Sequence, residues 1–414
     1  MVYEVVIIGG GVGGARVAKI LSKEARSFHI TLIDKNRYHT FHPNLYEVAT
    51  SYLPEVYGHM PIDFLDLKFS AIYPLEEIFW DDVGVTFLEG EVVGVDFKKQ
   101  KVNLKNGEER HYDALVVGAG SETNYFGIPR LYEKALPLKT FYDAMLVRNA
   151  IDEAFWEAPK NHIIKIIIAG GGFTGCEFAG ELIGFLKKLA EVHGRPKNSY
   201  ECLIVEAAPS LLGSASNWIQ KKAKKRLESM GIKFKFGVAA KSVSDGTLAL
   251  ADGTSLPYDV LIWTAGVKAG GLTDNLNLKL AKASCLLVDE YLRIMPYENV
   301  FGVGDITYCV DEAIGKALPM VASVAIREAK YVAENILRLF SKKTPIKYKP
   351  HYAGFVIPLG GKYALFESHG IRFAGFLPWI LKQLIALHYW STLLGWRRAF
   401  QIWQKGLEIY RRND

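Results

Sequence analysis

Cysteine is scarce and scattered: Cys176, Cys202, Cys285 and Cys309 are the only four in 414 residues, and no two form a Cys-x-x-Cys pair. That spacing argues against a disulfide framework and leaves free thiols in a reducing compartment as the expectation. No His/Cys/Asp cluster has the spacing of metal ligands, so no metal is expected. Nor is there an unbroken apolar stretch of the ~20 residues that a spanning helix requires. The amino terminus lacks the layout of a signal peptide, because Glu4 is followed by a short apolar run, Val5–Ile8, that enters a glycine cluster. A protein in, or facing, the cytoplasm is expected. Low-complexity stretches are absent as well.

What is present is a chain long enough for two or three domains, half of it hydrophobic, with a net charge of +6. The charge is uneven. From Ile371 onward seven basic residues face two acidic ones. A basic tail suits nucleic acid or an anionic membrane, and the Trp, Leu and Ile that accompany this one favour the membrane over nucleic acid.

Val5–Ile8 is a β-branched run that ends in Gly9-Gly10-Gly11, precedes helix-type sequence from Gly14 to Ser22, and is followed by a second apolar run, Ile30–Ile33, ending at Asp34. Strand, glycine turn, helix and strand make the βαβ unit of a parallel sheet. The order recurs in Ile163–Ile168, Gly170-Gly171-Gly172, a helix to about Ala190, and Glu201–Val205 ending at Glu206. Further strands are expected at Val85–Asp96 and Lys101–Leu104 (antiparallel) and at Tyr112–Val117. A helix is expected over Ser216–Met230, ended by Gly231, and a linker over Pro345–Pro350.

Each glycine has a task. In Gly9-x-Gly11-x-x-Gly14 the first makes the tight turn, the second admits a pyrophosphate, and the third lets helix and sheet pack closely. The helix start offers N–H groups and a positive dipole end to phosphate, and Asp34, with Lys35 beside it, is placed for a ribose. Gly170-x-Gly172-x-x-Gly175 repeats the pattern, and the acid at its second strand end, Glu206, has no arginine next to it. A carboxylate there favours NAD over NADP by repelling the 2′-phosphate. Tyr112–Gly120 and Tyr258–Gly266 are near-copies, each an aromatic–Asp start, an apolar strand and a small-residue end, suited to a backbone that crosses close to a cofactor. Val300–Asp305 is a strand ending in Gly304-Asp305, where the acid can meet the ribityl or pyrophosphate part of a flavin.

The order of these segments resembles the two-dinucleotide-binding flavoproteins, and within them the type II NADH dehydrogenases, single-chain NADH:quinone oxidoreductases. The most telling stretches are Tyr46-Glu47-Val48-Ala49-Thr50, Phe173 to Leu182, Trp263 to Lys268, and Gly375-Phe376-Leu377-Pro378-Trp379. The resemblance covers essentially the whole chain. It implies an α/β fold with two Rossmann-like domains for FAD and NAD and a C-terminal amphipathic helical membrane-anchor region. The expected blocks are 1–115 and 291–344 for FAD, 116–290 for NAD(H), and 345–414 for the membrane.

FAD would be non-covalent, with Gly9, Gly11, Gly14, Asp34 and Lys35 on its ADP half, Gly304 and Asp305 near its centre, and Thr50, Gly120 and Ala322 around the flavin. NADH would lie on Gly170, Gly172, Gly175, Glu206 and Gly266. The resemblance sets Glu177 near the flavin as a proton-relaying carboxylate, against the plainer role of a helix-start acid. Lys362 is either a flavin-side lysine or an exposed turn lysine. The family's Ala-Gln-x-Ala-x-Gln stretch is here Ala322-Ser323-Val324-Ala325-Ile326-Arg327, so Ser323 and Arg327 replace both glutamines. Arg327 would serve the acceptor or pair with an acid such as Glu328 or Glu334.

Phe373 to Tyr410 holds Trp379, Trp390, Trp396 and Trp403, interrupted by Lys382. Two helices lying in the membrane interface fit best, with Trp at headgroup depth and Lys/Arg reaching anionic lipid. A spanning helix and core or dimer packing are the alternatives, but dimer packing can accompany the interfacial role, and the resemblance implies a homodimer. The implied reaction passes a hydride from NADH to FAD and then two electrons to a quinone, without pumping protons. A sulfide:quinone-like enzyme and a redox-sensing membrane adaptor are its rivals.

Overall fold

The computed structural model describes residues 2–24, 26–52, 67, 70–311, 315–351 and 354–413, with side chains to 408. By contact the chain forms two units, one of residues 1–41, 72–122 and 267–352, the other of 42–71, 123–266 and 353–414.

The first unit is built on five parallel strands in the order Val300–Gly302, Ala114–Val117, Tyr3–Ile8, Phe28–Asp34, Val85–Glu89. Val5–Ile8 and Ile30–Ile33 are buried to the last side chain, as sequence runs without apolar/polar alternation demand of strands covered on both faces. Helix Val12–Leu21 supplies part of that cover and packs on helix Ala322–Phe340. One expectation is corrected. Val85–Glu89 is the parallel edge strand beside Phe28–Asp34, and only Val92–Asp96 pairs antiparallel with Lys101–Leu104. Gly90 separates the two: its N–H is held by the Asp34 carbonyl at 2.9 Å, and a Cβ there would stand 2.6 Å from the Leu104 side chain. Pro345–Pro350 has no helix or strand but is pinned, since Asn335 exchanges hydrogen bonds with both main-chain groups of Ile346.

The second unit repeats the design in the order Leu136–Pro137, Val260–Trp263, Ile164–Ala169, Tyr200–Glu206, Lys233–Phe236. The near-copy segments take equivalent places, Ala114–Val117 beside the first strand of one sheet and Val260–Trp263 beside that of the other. Their aspartates act alike. Asp113 accepts the Glu4 N–H at 2.8 Å and Asp259 the Lys165 N–H at 2.7 Å. Helix Asn217–Ser229 is capped by Ser216, and Gly231 follows it at φ +92°.

Three antiparallel strands, Phe355–Pro358, Ala364–Ser368 and Ile371–Gly375, lead into helices Phe376–Leu394 and Trp396–Asn413. Among the described residues no helix is long and apolar enough to cross a membrane. The tryptophan expectation is corrected in part: Trp379 and Trp390 are buried and Trp396 is exposed. Lys382 is corrected outright, being buried in the protein rather than directed at lipid.

Candidate functional site

In the first unit, the three fingerprint glycines divide into two kinds. Gly9 has φ +102°, and a Cβ on it would stand 2.2 Å from the Gly118 carbonyl oxygen. A Cβ on Gly14 would stand 1.9 Å from the oxygen of Gly9. The fold itself therefore requires both. Gly11 is different: it sits at φ −69°, which any residue adopts, and its Cβ would meet nothing within 4 Å. As the residue before helix Val12–Leu21 it contributes no capping side chain, although Ser, Thr, Asp or Asn would stabilise that helix start by roughly 1 kcal/mol. Open space above uncapped N–H groups fits a pyrophosphate.

The second unit reproduces this pattern. Gly170 has φ +116°, and a Cβ on it would stand 2.5 Å from the Thr264 carbonyl carbon, while a Gly175 Cβ would stand 1.9 Å from the Gly170 oxygen. Gly172 sits at φ −74° with nothing within 4 Å, again without a side-chain cap on helix Phe173–Val192. The acids at the strand ends also match. Asp34 accepts the Gly10 N–H at 2.6 Å and the Asn36 N–H at 2.7 Å, while Glu206 accepts the Gly171 N–H at 2.6 Å and the Ala208 N–H at 2.7 Å. Each carboxylate thus ties its glycine loop to the next strand. A carboxylate oxygen has two lone-pair sites, so a ribose hydroxyl can still be accepted. Burial holds the Asp34 carboxyl above its ordinary range, against its hydrogen bonds. Lys35 is exposed.

His39 was not singled out by the sequence. It is fully buried, and its Nδ1 lies 2.8 Å from the Gly10 carbonyl oxygen. Burial drops its pKa to about 4, so the ring is neutral near pH 7 and Nδ1 carries the hydrogen that the carbonyl accepts. Only the tertiary position under the glycine loop distinguishes this histidine from any other.

Also in the first unit, Val303 packs where a Gly13 Cβ would be, bringing the Gly304–Ile306 turn beside the glycine loop. Asp305 accepts the Ser121 hydroxyl at 2.6 Å. A small cavity at this turn is lined by Gly304, Asp305, Thr307, Cys309 and, from helix Ala322–Phe340, Val324, Ala325 and Glu328. Ala322, Ser323 and Arg327 are not in its lining. Ser323 is exposed, and Arg327 donates to the Lys349 carbonyl at 2.7 Å and lies over the Tyr331 ring. Arg327 is thus engaged by a carbonyl and a ring rather than by Glu328 or Glu334; Glu334 instead takes Arg338 at 2.7 Å. Cys309 is half-buried, and burial pushes its thiol up to about 12, so it is protonated and a poor nucleophile. Gly120 adopts φ +69° with open space around it.

The second unit holds a buried polar cluster. Glu47, in helix Leu45–Ala49, forms an ion pair with Lys382 of helix Phe376–Leu394; the two side chains are 4% and 10% exposed. The ammonium also donates to the Tyr46 hydroxyl at 2.5 Å and to Asn44 at 3.3 Å. Glu177 is part of the same electrostatic group. Burial pushes its carboxyl up to about 8; the Lys382 charge opposes the rise, and Glu47 and Glu181 reinforce it. Thr50 is fully buried and its hydroxyl donates to the Tyr46 carbonyl at 2.9 Å. Gly266 lies under the Phe126 ring, where a Cβ would come within 2.9 Å. Lys362 stands in an exposed turn at φ +50°.

Residues 3–329 match the family model described as pyridine nucleotide-disulphide oxidoreductase. Proteins named type II NADH:quinone oxidoreductase from Staphylococcus haemolyticus and Staphylococcus aureus are 28% and 27% identical over 392 residues, covering 92% of this chain and 94% of theirs. Among solved structures, NDH2 from Plasmodium falciparum in complex with NADH superposes with a TM-score of 0.84 at 17% identity, over 99% of this chain and 98% of that one. The sulfide:quinone oxidoreductase of Aquifex aeolicus gives 0.77 at 20%, over 95% and 92%. At those identities the two structures share the fold.

Proposed function

Because this chain belongs to the pyridine nucleotide-disulphide oxidoreductase family, we propose that it is a non-proton-pumping NADH:quinone oxidoreductase of the type II class. FAD, held by the first unit, would supply the redox chemistry that links NADH to a quinone. The observation that carries this reading is the pair of glycines, Gly11 and Gly172, which the fold does not need and which leave a helix start open in each unit. The name of the staphylococcal relatives, matched over nearly their whole length, supports quinone as the acceptor.

The first unit holds FAD through Gly9, Gly11, Gly14 and Asp34, with Gly304 and Asp305 toward its centre. The second holds NADH through Gly170, Gly172, Gly175 and Glu206. Glu177 keeps a proton at neutral pH, since burial raises its carboxyl to about 8, and is the residue suited to deliver one as the quinone is reduced. Cys309 and Cys285, the latter against the Asp305 carbonyl, are free thiols that burial keeps protonated, which does not suit a sulfide or disulfide relay.

Glu206 sets the cofactor preference. Glu206→Gln keeps one oxygen for a loop N–H but removes the charge that repels a 2′-phosphate. NADH is expected to reduce the flavin far faster than NADPH in the parent protein, and the variant to narrow that ratio by ~tenfold, or ~1.4 kcal/mol. Stopped-flow reduction with each cofactor measures it, and an unchanged ratio assigns the selectivity elsewhere.

Association with a membrane surface rests on the outer face of helix Phe376–Leu394, where Leu377, Leu384 and Ile385 are 68%, 49% and 48% exposed. Exposed Trp396 and Phe400 continue on the next helix, beside Arg397 and Arg398. Such a face lies in the headgroup region without spanning it. Changing Leu377, Leu384 and Ile385 to Ser is expected to weaken liposome binding by more than ~tenfold, as each side chain withdrawn from lipid loses roughly 1 kcal/mol or more. Flavin reduction by NADH stays as it was. Undiminished sedimentation with liposomes would exclude this face.

A further inference from the structure

Glu328 is 1% exposed, and its Oε2 accepts the Gly304 N–H at 2.7 Å. The Thr307 hydroxyl donates to the Gly304 carbonyl at 2.8 Å. Both main-chain groups of Gly304 are therefore gripped, one by an acid and one by a hydroxyl. The grip matters because Gly304 stands at φ +79°, a left-handed conformation that other residues rarely hold. The held turn is the one that aims Asp305.

Among the described residues, the groups facing Glu328 offer it no positive partner. Asp305 stands on the turn, the Cys309 thiol follows in the same segment, and Tyr348 approaches from residues 341–351. Arg327 and Tyr331, on its own helix, act on Tyr348. Among the described residues none forms an ion pair with Glu328. An acid buried in this way holds its proton beyond the ordinary carboxyl range: burial, with the Asp305 charge adding, pushes Glu328 up to about 8 against the Gly304 hydrogen bond.

We propose that Glu328 is a positioning residue for the flavin, fixing the Gly304–Asp305 turn through the Gly304 N–H and coupling its own ionisation to the electron content of that flavin. This rests on the FAD reading above. Reduction adds negative charge beside the turn, which disfavours the ionised form of Glu328. Its pKa is then higher in the reduced protein than in the oxidised one, and between the two values reduction draws one extra proton onto the carboxyl.

The test uses the FAD-loaded protein. In the parent, the flavin midpoint potential falls more steeply with pH from about pH 8 upward, until Glu328 is ionised in both redox states. Glu328→Gln retains its flavin, because an amide oxygen still accepts the Gly304 N–H, but lacks the steep interval. Glu328→Ala lets the turn go, and free-flavin fluorescence on dilution shows at least ~tenfold weaker retention, equivalent to ~1.4 kcal/mol. The same steep interval in Glu328→Gln overturns the coupling, and undiminished retention in Glu328→Ala overturns the positioning. A parent protein that carries no flavin at all sinks the FAD reading instead.

Discussion

Gly172→Val raises the NADH concentration for half-maximal flavin reduction by about a hundredfold, or ~2.7 kcal/mol, while the protein stays folded and keeps its flavin. The expectation follows from the two kinds of glycine in the loop. Gly172 has an ordinary backbone conformation, and a Cβ there meets nothing within 4 Å, so the chain tolerates a side chain. The space that the side chain would fill lies over the N–H groups at the start of helix Phe173–Val192, where a pyrophosphate must approach closely. Gly175 is the control. Its Cβ would stand 1.9 Å from the Gly170 oxygen, a main-chain atom that cannot swing aside, so Gly175→Val disrupts the unit itself. Stopped-flow reduction and thermal unfolding, measured together, separate the outcomes. A Gly172→Val protein with unaltered NADH dependence removes the second loop from cofactor binding.

Lys382→Met destabilises the protein by about 3–5 kcal/mol, because it leaves Glu47 as an uncompensated buried acid. Both partners are nearly inaccessible, and the lysine is further held by Tyr46 and Asn44. Adding Glu47→Gln to Lys382→Met recovers most of the loss, since removing both charges leaves neither stranded. Equilibrium denaturation of the single and double variants measures this. The alternative in which Lys382 reaches lipid headgroups makes the opposite forecast: unchanged stability and altered membrane affinity. The same pair also decides which variants can test the membrane face. Cutting the chain near Phe373 takes away Lys382 together with the buried Trp379, Trp390 and Leu393, so it damages the core as well as any membrane face. Substitutions confined to the exposed side chains avoid that confusion.

The two glycine loops were legible because their constraints are local. Strand, turn and helix lie within a few residues, and Gly14 and Gly175 answer to atoms only a few positions back, although Gly9 and Gly170 also face the distant main chain at Gly118 and Thr264. The near-copies Tyr112–Gly120 and Tyr258–Gly266 were legible for a related reason, since repeated sequence implies repeated place, and Asp113 and Asp259 do occupy matching positions. What the sequence concealed depends on long-range packing. Glu47 and Lys382 meet across 335 positions, and no local pattern marks either as paired. Lys382 interrupts an apolar stretch, which in isolation suits a snorkelling surface lysine equally well. Glu328 follows Arg327 and looks like its surface partner until the fold turns it beneath Gly304. His39 is hidden for the same reason. The misplacement of Val85–Glu89 arose from short strands whose pairing is set by neighbours far along the chain, a choice that periodicity alone does not make.

Transfer of two electrons from NADH to a quinone by one flavin-bearing chain can be watched directly. The most direct measurement is the visible spectrum of the purified protein, mixed anaerobically with NADH and then with a short-chain quinone. The expected result is a flavin spectrum at the outset, its bleaching by NADH much faster than by NADPH, and its full return on quinone addition, repeatedly, until NADH is exhausted. A protein without flavin absorbance contradicts it, and so does a flavin that NADH bleaches once and quinone fails to restore.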